Sequence, residues 1–371
     1  MSKEKINIFK ESLTPKSAYK GGKGKVEVLA KIGDKKLYKL SSNENILGSS
    51  PLAIKAMQYV ISNMSEYPVR TDHKLRQALS DFYANVLSPE QFITGNSGVT
   101  LLDTIQRAFL QDGNEIIISN PAFKPYHAFA RRLGAKIVDV PLIGECFDLD
   151  VESILAAIND ETRLIFITNP NNPTGTHIPK DQLDALINNV PDHVVIVFDE
   201  VYYQFADAED YTTAIPYVDE GKNVIAVNSF SKAYGLAGLR VGYAYSTEKI
   251  ARYIAQLDIP FEINSLAIEG AIAALHDKEH IKKTVDLIHT EKEFLYNELE
   301  ALDIEFWETQ ANFITIKPEM VDTEFEEAML LEGIMVRPSK NFGLPECVRV
   351  TIGHREANQA YINALKKTLK K

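Results

Sequence analysis

The run at residues 229–240 contains the side chains whose chemistry is most specific in this chain, and it reads Ser-Phe-Ser-Lys-Ala-Tyr-Gly-Leu-Ala-Gly-Leu-Arg. Lys232 supplies an amine that can bond covalently to an aldehyde, and the flanking serine hydroxyls and Arg240 can hold a phosphate. This combination predicts a site for pyridoxal phosphate. The alternative is that Lys232 is simply exposed to solvent after a strand, because most lysines in proteins are exposed.

Two further polar clusters follow predicted strands. Residues 169–175 read Asn-Pro-Asn-Asn-Pro-Thr-Gly, a turn in which the prolines restrict the backbone and Asn172 can present a rigid amide to a ligand. Asp199 and Tyr202 come just past the next strand, where the aspartate could instead cap a helix. Ligands of open α/β sheets bind at the carboxyl ends of the strands. The clusters therefore predict one shared site, although a tight turn alone also explains residues 169–175.

Short β-branched runs alternate with amphipathic segments, which indicates a mostly parallel sheet covered by helices. The predicted strands are residues 115–119, 136–140, 164–168, 194–198, 223–227 and 241–245. The predicted helices are residues 101–110, 125–133, 151–158 and 180–189. The turn at 95–98 precedes the first of these helices, whose N-terminus can bind an anion. After about residue 260, long helical patterns precede a tail of strand, helix, strand and helix at 312–317, 324–331, 347–352 and 356–369.

The composition narrows the class of protein. The 371 residues are 45% hydrophobic, which is enough for one large and one smaller domain. The net charge of −11 disfavours nucleic acid and anionic membranes as partners, so an anionic ligand needs locally placed arginines. Cys146 and Cys347 cannot build a disulfide framework, and no apolar run approaches the roughly 18 residues of a membrane span. These two features lead us to expect a cytoplasmic protein. We expect no metal site, because the eight histidines are scattered along the chain.

The three clusters together resemble the motifs of fold-type I pyridoxal-phosphate enzymes, the class I/II aminotransferases, and within them the histidinol-phosphate aminotransferases. The resemblance spans about residues 40–355 and includes Ser-Asn-Glu-Asn at 42–45, Tyr-Pro at 67–68, Asn-Asn-Pro-Thr-Gly at 171–175, Asp-Glu-Val-Tyr at 199–202, Ser-Phe-Ser-Lys at 229–232 and Arg-Val-Thr-Ile-Gly at 349–353.

The resemblance implies an α/β fold like that of aspartate aminotransferase. A mostly parallel sheet of the seven-stranded type is expected in a large cofactor-binding domain, together with a smaller α+β C-terminal domain. The expected boundaries are an N-terminal arm at 1–40, the large domain at 41–260, and a linking helix with the small domain at 261–371.

The resemblance assigns roles around the cofactor ring. Lys232 is implied to bind pyridoxal phosphate covalently and to move the proton between substrate and cofactor. Asp199 is implied to keep the ring nitrogen protonated, and Asn172 and Tyr202 to hydrogen-bond the ring oxygen. Lys232, Asp199 and Tyr202 are thus the expected catalytic residues. Phe123 matches the aromatic residue that stacks on the ring, where many relatives have tyrosine.

The resemblance also assigns residues to the cofactor phosphate. They are Ser229, Ser231, Arg240 and the backbone amides of Gly98, Val99 and Thr100. The histidinol-phosphate enzymes usually have Asp-Glu where this chain has Val99-Thr100, a departure that leaves the backbone amides in place. Tyr67 matches a tyrosine that reaches the phosphate from the neighbouring subunit, which implies a homodimer with shared active sites.

Four residues are implied to bind the substrates. Arg349 matches the arginine that binds an α-carboxylate through both oxygens, and Arg337 resembles the second substrate arginine of the histidinol-phosphate enzymes. Tyr19 resembles an N-terminal tyrosine that closes over the substrate, and Asn45 lies in the Asn-Glu-Asn motif. Because histidinol phosphate has no carboxylate, an arginine that binds its phosphate must also accept a carboxylate of glutamate.

The expected reaction is a ping-pong transfer of an amino group between glutamate or 2-oxoglutarate and histidinol phosphate or imidazole acetol phosphate. Aromatic residues such as Tyr19, Phe123 and Phe342 leave an aromatic amino acid aminotransferase open. An amino acid phosphate decarboxylase shares the cofactor residues and differs in which bond at Cα lies perpendicular to the ring. A regulator without turnover is disfavoured by the charge and by the short stretch before residue 40, and an NAD-linked oxidoreductase by the missing Gly-x-Gly-x-x-Gly.

Overall fold

The structure is a computed structural model that describes residues 10, 12–13, 25–33, 35–68 and 72–370. The strands are β1 (Tyr38–Lys39), β2 (Phe92–Gly95), β3 (Glu115–Asn120), β4 (Lys136–Pro141), β5 (Thr162–Thr168), β6 (Val195–Asp199), β7 (Val224–Ser229), β8 (Gly242–Tyr245), β9 (Glu305–Trp307), β10 (Phe313–Lys317), β11 (Ile334–Met335), β12 (Arg337–Pro338) and β13 (Val348–Thr351). The α-helices are α1 (Lys25–Ile32), α2 (Pro51–Val60), α3 (His73–Phe82), α4 (Gly98–Phe109), α5 (Pro125–Leu133), α6 (Val151–Ala157), α7 (Lys180–Ile187), α8 (Ile215–Asp219), α9 (Glu248–Ile254), α10 (Ser265–His276), α11 (Lys278–Ala301), α12 (Asp322–Leu331) and α13 (Arg355–Leu369).

The larger sheet has seven strands in the order β2, β8, β7, β6, β5, β3 and β4. Strand β8 runs antiparallel to its neighbours β2 and β7, whereas the remaining pairs are parallel. The prediction of a mostly parallel sheet is therefore confirmed, and the six predicted strands are present. The sequence does not indicate β2, because its four residues are few and end in a glycine.

Both faces of the larger sheet are buried, which explains the continuous apolar runs in its strands. Neighbouring residues of β3 point to opposite faces, so Ile117 packs in one apolar core, whereas Ile116 and Ile118 pack in another. The first core includes residues of α3, α6, α7 and α10, and the second includes residues of α4, α5 and α9. Helices therefore cover both sides, and the parallel strands β5, β6 and β7 end together at one edge of the sheet.

The smaller sheet is antiparallel and has the order β12, β13, β10 and β9. It packs with α11, α12 and α13 around a third core, whose fully buried residues include Phe313, Val350 and Tyr361. An α+β C-terminal unit is thus present. The sequence does not indicate β9, β11 or β12, because strands of two or three residues are too short for a periodic pattern.

Helix α11 is 24 residues long and carries lysines and glutamates along its exposed side. Its apolar residues Ile288, Leu295 and Leu299 are buried in the third core, which accounts for the stripe that predicts a long helix here. Neither this helix nor another in the described ranges combines the length and the apolar character needed to cross a membrane.

Residues 25–33 and 35–40 pack with the C-terminal unit. Strand β1 pairs in parallel with β11, and Val28 of α1 packs in a small apolar cluster with Leu330. The next residue after β1, Leu40, accepts a hydrogen bond from Thr351 N at 2.8 Å. The last of these contacts holds the start of the segment that follows β1 against β13 of the smaller sheet. The division of the chain at 1–40, 41–260 and 261–371 stays a prediction.

Candidate active site

A cavity of about 450 Å³ opens where β5, β6 and β7 end, beside the N-terminus of α4 and the smaller sheet. The predicted site residues that line it are Gly98, Val99, Phe123, Asn172, Asp199, Tyr202, Ser229, Ser231, Lys232, Arg240, Arg337 and Arg349. Residues 41–44 and Phe342 are among the other residues of the wall. The lining includes five lysines and arginines but only two carboxylates, which suits a ligand with several anionic groups.

Lys232 lies in the turn between β7 and β8 and is half-buried in the cavity wall. Its Nζ donates a hydrogen bond to Ser42 O at 3.1 Å and lies 5.6 Å from the centroid of the Tyr202 ring. Burial, followed by the nearby charge of Arg349, lowers the pKa of the lysine to about 7. Much of the amine is therefore neutral near pH 7, as a nucleophile and proton carrier requires.

Asp199 ends β6 and is only 3% exposed. Its carboxylate accepts hydrogen bonds from the Tyr126 hydroxyl at 2.6 Å and from Val201 N at 3.3 Å. Burial outweighs these bonds and raises its pKa to about 6. A turn and a short 3₁₀ segment follow β6, so Asp199 does not cap an α-helix. The buried carboxylate can pair with a cationic ring nitrogen inside the cavity.

Asn172 and Arg349 are bonded to each other. Arg349 Nη1 donates to Asn172 Oδ1 at 2.6 Å, and Arg349 Nη2 donates to Ser41 O at 3.0 Å. Because the amide oxygen of Asn172 accepts from the arginine, its Nδ2 group remains the donor that can face a ligand oxygen. One short contact therefore connects a residue predicted for the cofactor with a residue predicted for the substrate.

The N-terminus of α4 meets the end of β7 to form a polar cradle. Ser229 Oγ donates to Ser231 Oγ at 2.9 Å, and both hydroxyls line the cavity with Arg240. The backbone amides at the start of α4 carry the positive end of the helix dipole. Gly242 permits the close packing, because a Cβ atom there would lie 2.5 Å from Gly98 N. Hydroxyls, a guanidinium and a helix N-terminus are the donors that a phosphate needs.

Arg337 and Arg349 lie directly opposite each other on β12 and β13. The guanidinium carbon of each lies 5.5 Å from the centroid of the Phe342 ring, which is almost fully buried. Two like charges at opposed positions on neighbouring strands repel each other. An anionic ligand between them relieves that repulsion, so the pair is suited to binding carboxylate or phosphate groups.

Three other predicted residues, Thr100, Asn45 and Tyr67, are not part of the cavity lining. Thr100 N donates to Ser97 Oγ at 3.2 Å within the cap of α4. Asn45 lies outside the lining, and its Nδ2 donates to Ala233 O at 2.8 Å, next to Lys232. Tyr67 is 84% exposed, with its ring 5.0 Å from that of Phe261. Tyr19 lies outside the described residues.

Several residues at the site were not singled out by the sequence reasoning, among them Tyr126, Asn43 and Glu44. Tyr126 donates to Asp199 but sits inside a helical pattern, where nothing in the sequence distinguishes it from packing residues. Asn43 and Glu44 line the cavity and belong to the Asn-Glu-Asn motif, which was the available signal. No group of three or more His, Cys, Asp or Glu side chains in the described part of the chain is placed to hold a metal ion.

The lining fits pyridoxal phosphate. The cradle at Ser229, Ser231 and Arg240 can hold the phosphate, and Asp199 can pair with the ring nitrogen. Lys232 has a pKa low enough for its amine to react with the aldehyde. When bound, this cofactor withdraws electrons from the substrate's Cα and thereby makes its proton acidic.

Comparisons with known proteins agree with this reading. The family model "Aminotransferase class I and II" matches residues 35–365. The histidinol-phosphate aminotransferase of Moorella thermoacetica is 36% identical over 97% of this chain and 92% of its own length. That of Caldicellulosiruptor saccharolyticus is also 36% identical, over 98% of this chain and 100% of its own length.

Solved structures show the fold. The histidinol-phosphate aminotransferase of Sinorhizobium meliloti in complex with pyridoxal-5'-phosphate has a TM-score of 0.86 at 24% identity, and the match covers 99% of both chains. A Thermus thermophilus aspartate aminotransferase double mutant has a TM-score of 0.83 at 22% identity, covering 96% of this chain and 99% of its own. The prediction of an aspartate aminotransferase-like fold is thus confirmed. The chain belongs to the class I and II aminotransferases, the family of pyridoxal-phosphate enzymes that its motifs predicted.

Proposed function

We propose that this enzyme transfers an amino group between glutamate or 2-oxoglutarate and histidinol phosphate or imidazole acetol phosphate, in two half-reactions at one site. The observation that carries the proposal is the opposed pair Arg337 and Arg349 in the cavity that also contains Lys232. The similarity to histidinol-phosphate aminotransferases over nearly the whole chain supports the same substrate.

Two substrates of different shape must use the same arginines. Glutamate brings two carboxylates, whereas histidinol phosphate brings a phosphate and no carboxylate. Arg349 is buried and held by Asn172 and Ser41, so it offers a fixed guanidinium for an α-carboxylate. Arg337 is only half-buried, which gives it room to meet either a phosphate or the side-chain carboxylate of glutamate.

Lys232 is proposed as the residue that binds the cofactor and then moves the proton at the substrate's Cα. Its lowered pKa of about 7 lets the same amine accept and donate a proton near neutral pH. Asp199 is proposed to hold the ring nitrogen in its cationic form, which strengthens the electron withdrawal that makes the Cα proton acidic. Phe123 is proposed to stack on the ring, with Asn172 and Tyr202 donating to the ring oxygen.

We also propose a homodimer in which Tyr67 reaches the phosphate of the neighbouring subunit. Tyr67 is highly exposed in the single chain. Large apolar side chains that are also exposed occur on and near α2, namely Leu47, Leu52, Ile54, Tyr59, Ile61 and Met64. Exposed apolar residues in such number on one stretch favour burial against a second copy. Sedimentation of the purified protein tests the dimer, and a Tyr67→Phe variant that binds the cofactor unchanged would contradict the shared site.

A cytoplasmic location is the remaining part of the proposal. It is supported by Cys146 and Cys347, which are both free thiols, the first exposed and the second buried. Free thiols of this kind are usual in a reducing compartment. Fractionation of the source cells, with the protein followed by antibody, would test the location.

The substrate assignment is tested with an acceptor panel. Purified protein loaded with pyridoxal phosphate is given glutamate and either imidazole acetol phosphate or phenylpyruvate, and 2-oxoglutarate formation is followed. We expect the higher kcat/KM with imidazole acetol phosphate. A preference for phenylpyruvate would assign an aromatic amino acid aminotransferase instead, and carbon dioxide release from an amino acid phosphate would assign a decarboxylase. Absence of a visible absorbance band on the protein after the unbound cofactor has been removed would refute the whole proposal.

A further inference from the structure

Asn43 occupies an unusual place in the cavity wall. It is 1% exposed, and its φ of +55° lies in the left-handed region that residues other than glycine rarely adopt. Asparagine tolerates this region better than most residues. Backbone strain of this kind persists only where the surroundings enforce it, and it concentrates at functional sites. The strained backbone therefore indicates that Asn43 has a role at this site.

The hydrogen bonds of Asn43 fix which way its amide points. Asn43 N donates to Thr351 Oγ1 at 2.8 Å, and the same hydroxyl donates back to Asn43 Oδ1 at 3.2 Å. Asn312 Nδ2 donates to the carbonyl oxygen of Asn43 at 3.2 Å. With its oxygen directed at Thr351, Asn43 presents Nδ2 to the Tyr202 hydroxyl, at 2.9 Å.

This contact sets the direction of the Tyr202 hydroxyl. A phenol oxygen that accepts from Asn43 turns its own hydrogen away from that amide. Tyr202 lines the cavity, and its ring lies 5.6 Å from Lys232 Nζ. We propose that Asn43 is a positioning residue, which acts through Tyr202 by aiming its hydroxyl hydrogen at the ring oxygen of the cofactor. The inference rests on the proposed function, in which Tyr202 donates to that oxygen.

Replacement of Asn43 by aspartate should reverse the direction of its hydrogen bond with Tyr202. It has the shape of asparagine and tolerates a positive φ, but an ionised carboxylate only accepts hydrogen bonds. In Asn43→Asp the Tyr202 hydroxyl would donate to Asp rather than to the cofactor. Asn43→Gly suits the backbone equally well and removes the amide without adding charge. The two variants therefore separate loss of the amide from reversal of the hydrogen bond.

The readout is the pH at which the visible absorbance of the bound cofactor changes. A hydrogen bond donated to the ring oxygen stabilises its anionic form and so lowers this apparent pKa. Losing one bond to a charged acceptor should raise it by about one unit, a tenfold change in the protonation equilibrium. We expect this rise in Tyr202→Phe and in Asn43→Asp, and a smaller rise in Asn43→Gly.

A double-mutant cycle tests whether Asn43 acts through Tyr202. In the Tyr202→Phe background, Asn43→Gly should cause no further shift, because the hydroxyl it orients is gone. Asn312→Asp is the matched control, since it removes a bond to the Asn43 backbone and adds a charge in the same cluster without a bond to Tyr202. It should shift the absorbance pKa less than Asn43→Asp does.

Two outcomes overturn the inference in distinguishable ways. Additive shifts of Asn43→Gly and Tyr202→Phe would mean that Asn43 acts independently of the hydroxyl, while the proposed role of Tyr202 survives. An unshifted absorbance pKa in Tyr202→Phe would refute the role of Tyr202 in the proposed function, and the inference would fail with it. Variants that bind the cofactor too weakly to be saturated are compared instead by their dissociation constants for pyridoxal phosphate, and the same cycle must again be non-additive.

Discussion

The two ends of the cavity are built in different ways. At the cofactor end, Asp199 and Ser229 each terminate a strand of one sheet, and Lys232 follows the second of these strands directly. At the substrate end, Arg337 and Arg349 come from the smaller sheet, and Ser41, which accepts from Arg349, comes from the segment after β1. The cofactor end is thus part of one continuous sheet, whereas the substrate end depends on how separate parts of the chain pack together.

Because the two ends of the cavity are built differently, they should respond differently to substitution. A sheet covered on both faces holds Asp199 and Lys232 in place without help from a ligand, and burial shifts the pKa of both toward neutrality. The other end instead presents two guanidinium groups, from Arg337 and Arg349. Their position relies on the shared Phe342 ring, on the Phe313 ring, whose centroid lies 5.3 Å from the guanidinium carbon of Arg349, and on contacts between distant segments. Substitutions should therefore damage chemistry at the first end and substrate affinity at the second.

Replacement of Lys232 by alanine should have the largest effect. The variant loses both the covalent attachment and the proton carrier, so turnover should fall by about 10⁴-fold or more. Transamination measured with glutamate and imidazole acetol phosphate checks this. Lys222→Ala removes a half-buried lysine just before β7, outside the cavity lining, and serves as the control. A Lys232→Ala enzyme within tenfold of the unchanged protein would assign the chemistry to another residue.

Substitution of Arg349 or Arg337 should mainly weaken substrate binding. A lysine cannot form the paired hydrogen bonds of a guanidinium, so Arg349→Lys should raise the KM for glutamate by about 10- to 100-fold. Arg337→Lys should raise the KM for imidazole acetol phosphate by a similar factor if it binds the phosphate. Turnover at saturation should change much less in both variants. Initial rates over a matrix of both substrates give the two constants separately.

Arg355→Lys is the matched control for the arginine variants. Arg355 pairs with Glu291 at 3.0 Å, in a contact between α11 and the start of α13. Its replacement should leave both KM values unchanged. A loss of turnover without a change in KM in the Arg349 and Arg337 variants would contradict the assignment of these arginines to substrate binding.

The same contrast explains how far the sequence predicts the site. Asn172, Asp199 and Lys232 each follow an apolar strand in a short motif, and strand ends of a parallel sheet meet at one edge, so their proximity follows from the pattern. The hydrogen bonds from Tyr126 to Asp199 and from Asn43 to Tyr202 join residues far apart in the chain. Such pairs depend on the packing of whole elements, which no local pattern encodes.

The cofactor end should also make stability depend on pH. Asp199 has a folded-state pKa of about 6, above its ordinary value of 3.8, so the folded state binds the proton more tightly than the unfolded state. Stability from this group is present at low pH and is lost as pH rises through about 6. Between pH 5 and 8 the cofactor-free protein should lose about 1.4 kcal/mol on this account.

Urea unfolding of cofactor-free protein measures that loss. Asp199→Asn cannot titrate, so the difference in unfolding free energy between the unchanged protein and this variant should shift by the same amount from pH 5 to 8. Arg337→Gln alters the substrate end and should leave the pH dependence unchanged over this range. Equal pH dependence in Asp199→Asn and the unchanged protein would show that the carboxyl titrates as in the unfolded chain.

Phe342 offers the smallest and sharpest test, because its ring contacts both substrate arginines. Leucine keeps much of the apolar bulk but removes the aromatic face, and a cation–π contact at a partly exposed site is worth about 0.5–1 kcal/mol. Phe342→Leu should therefore raise the KM for both substrates by about two- to fivefold, with kcat nearly unchanged.

Phe294 provides the control, since its ring lies 4.0 Å from the guanidinium carbon of Arg355, outside the cavity lining. Phe294→Leu removes the same kind of contact and should leave both KM values as they are. If Phe342→Leu raised the KM for only one substrate, the two arginines would be positioned independently of each other. The substrate end would then consist of two separate anion sites rather than one pair organised around a shared ring.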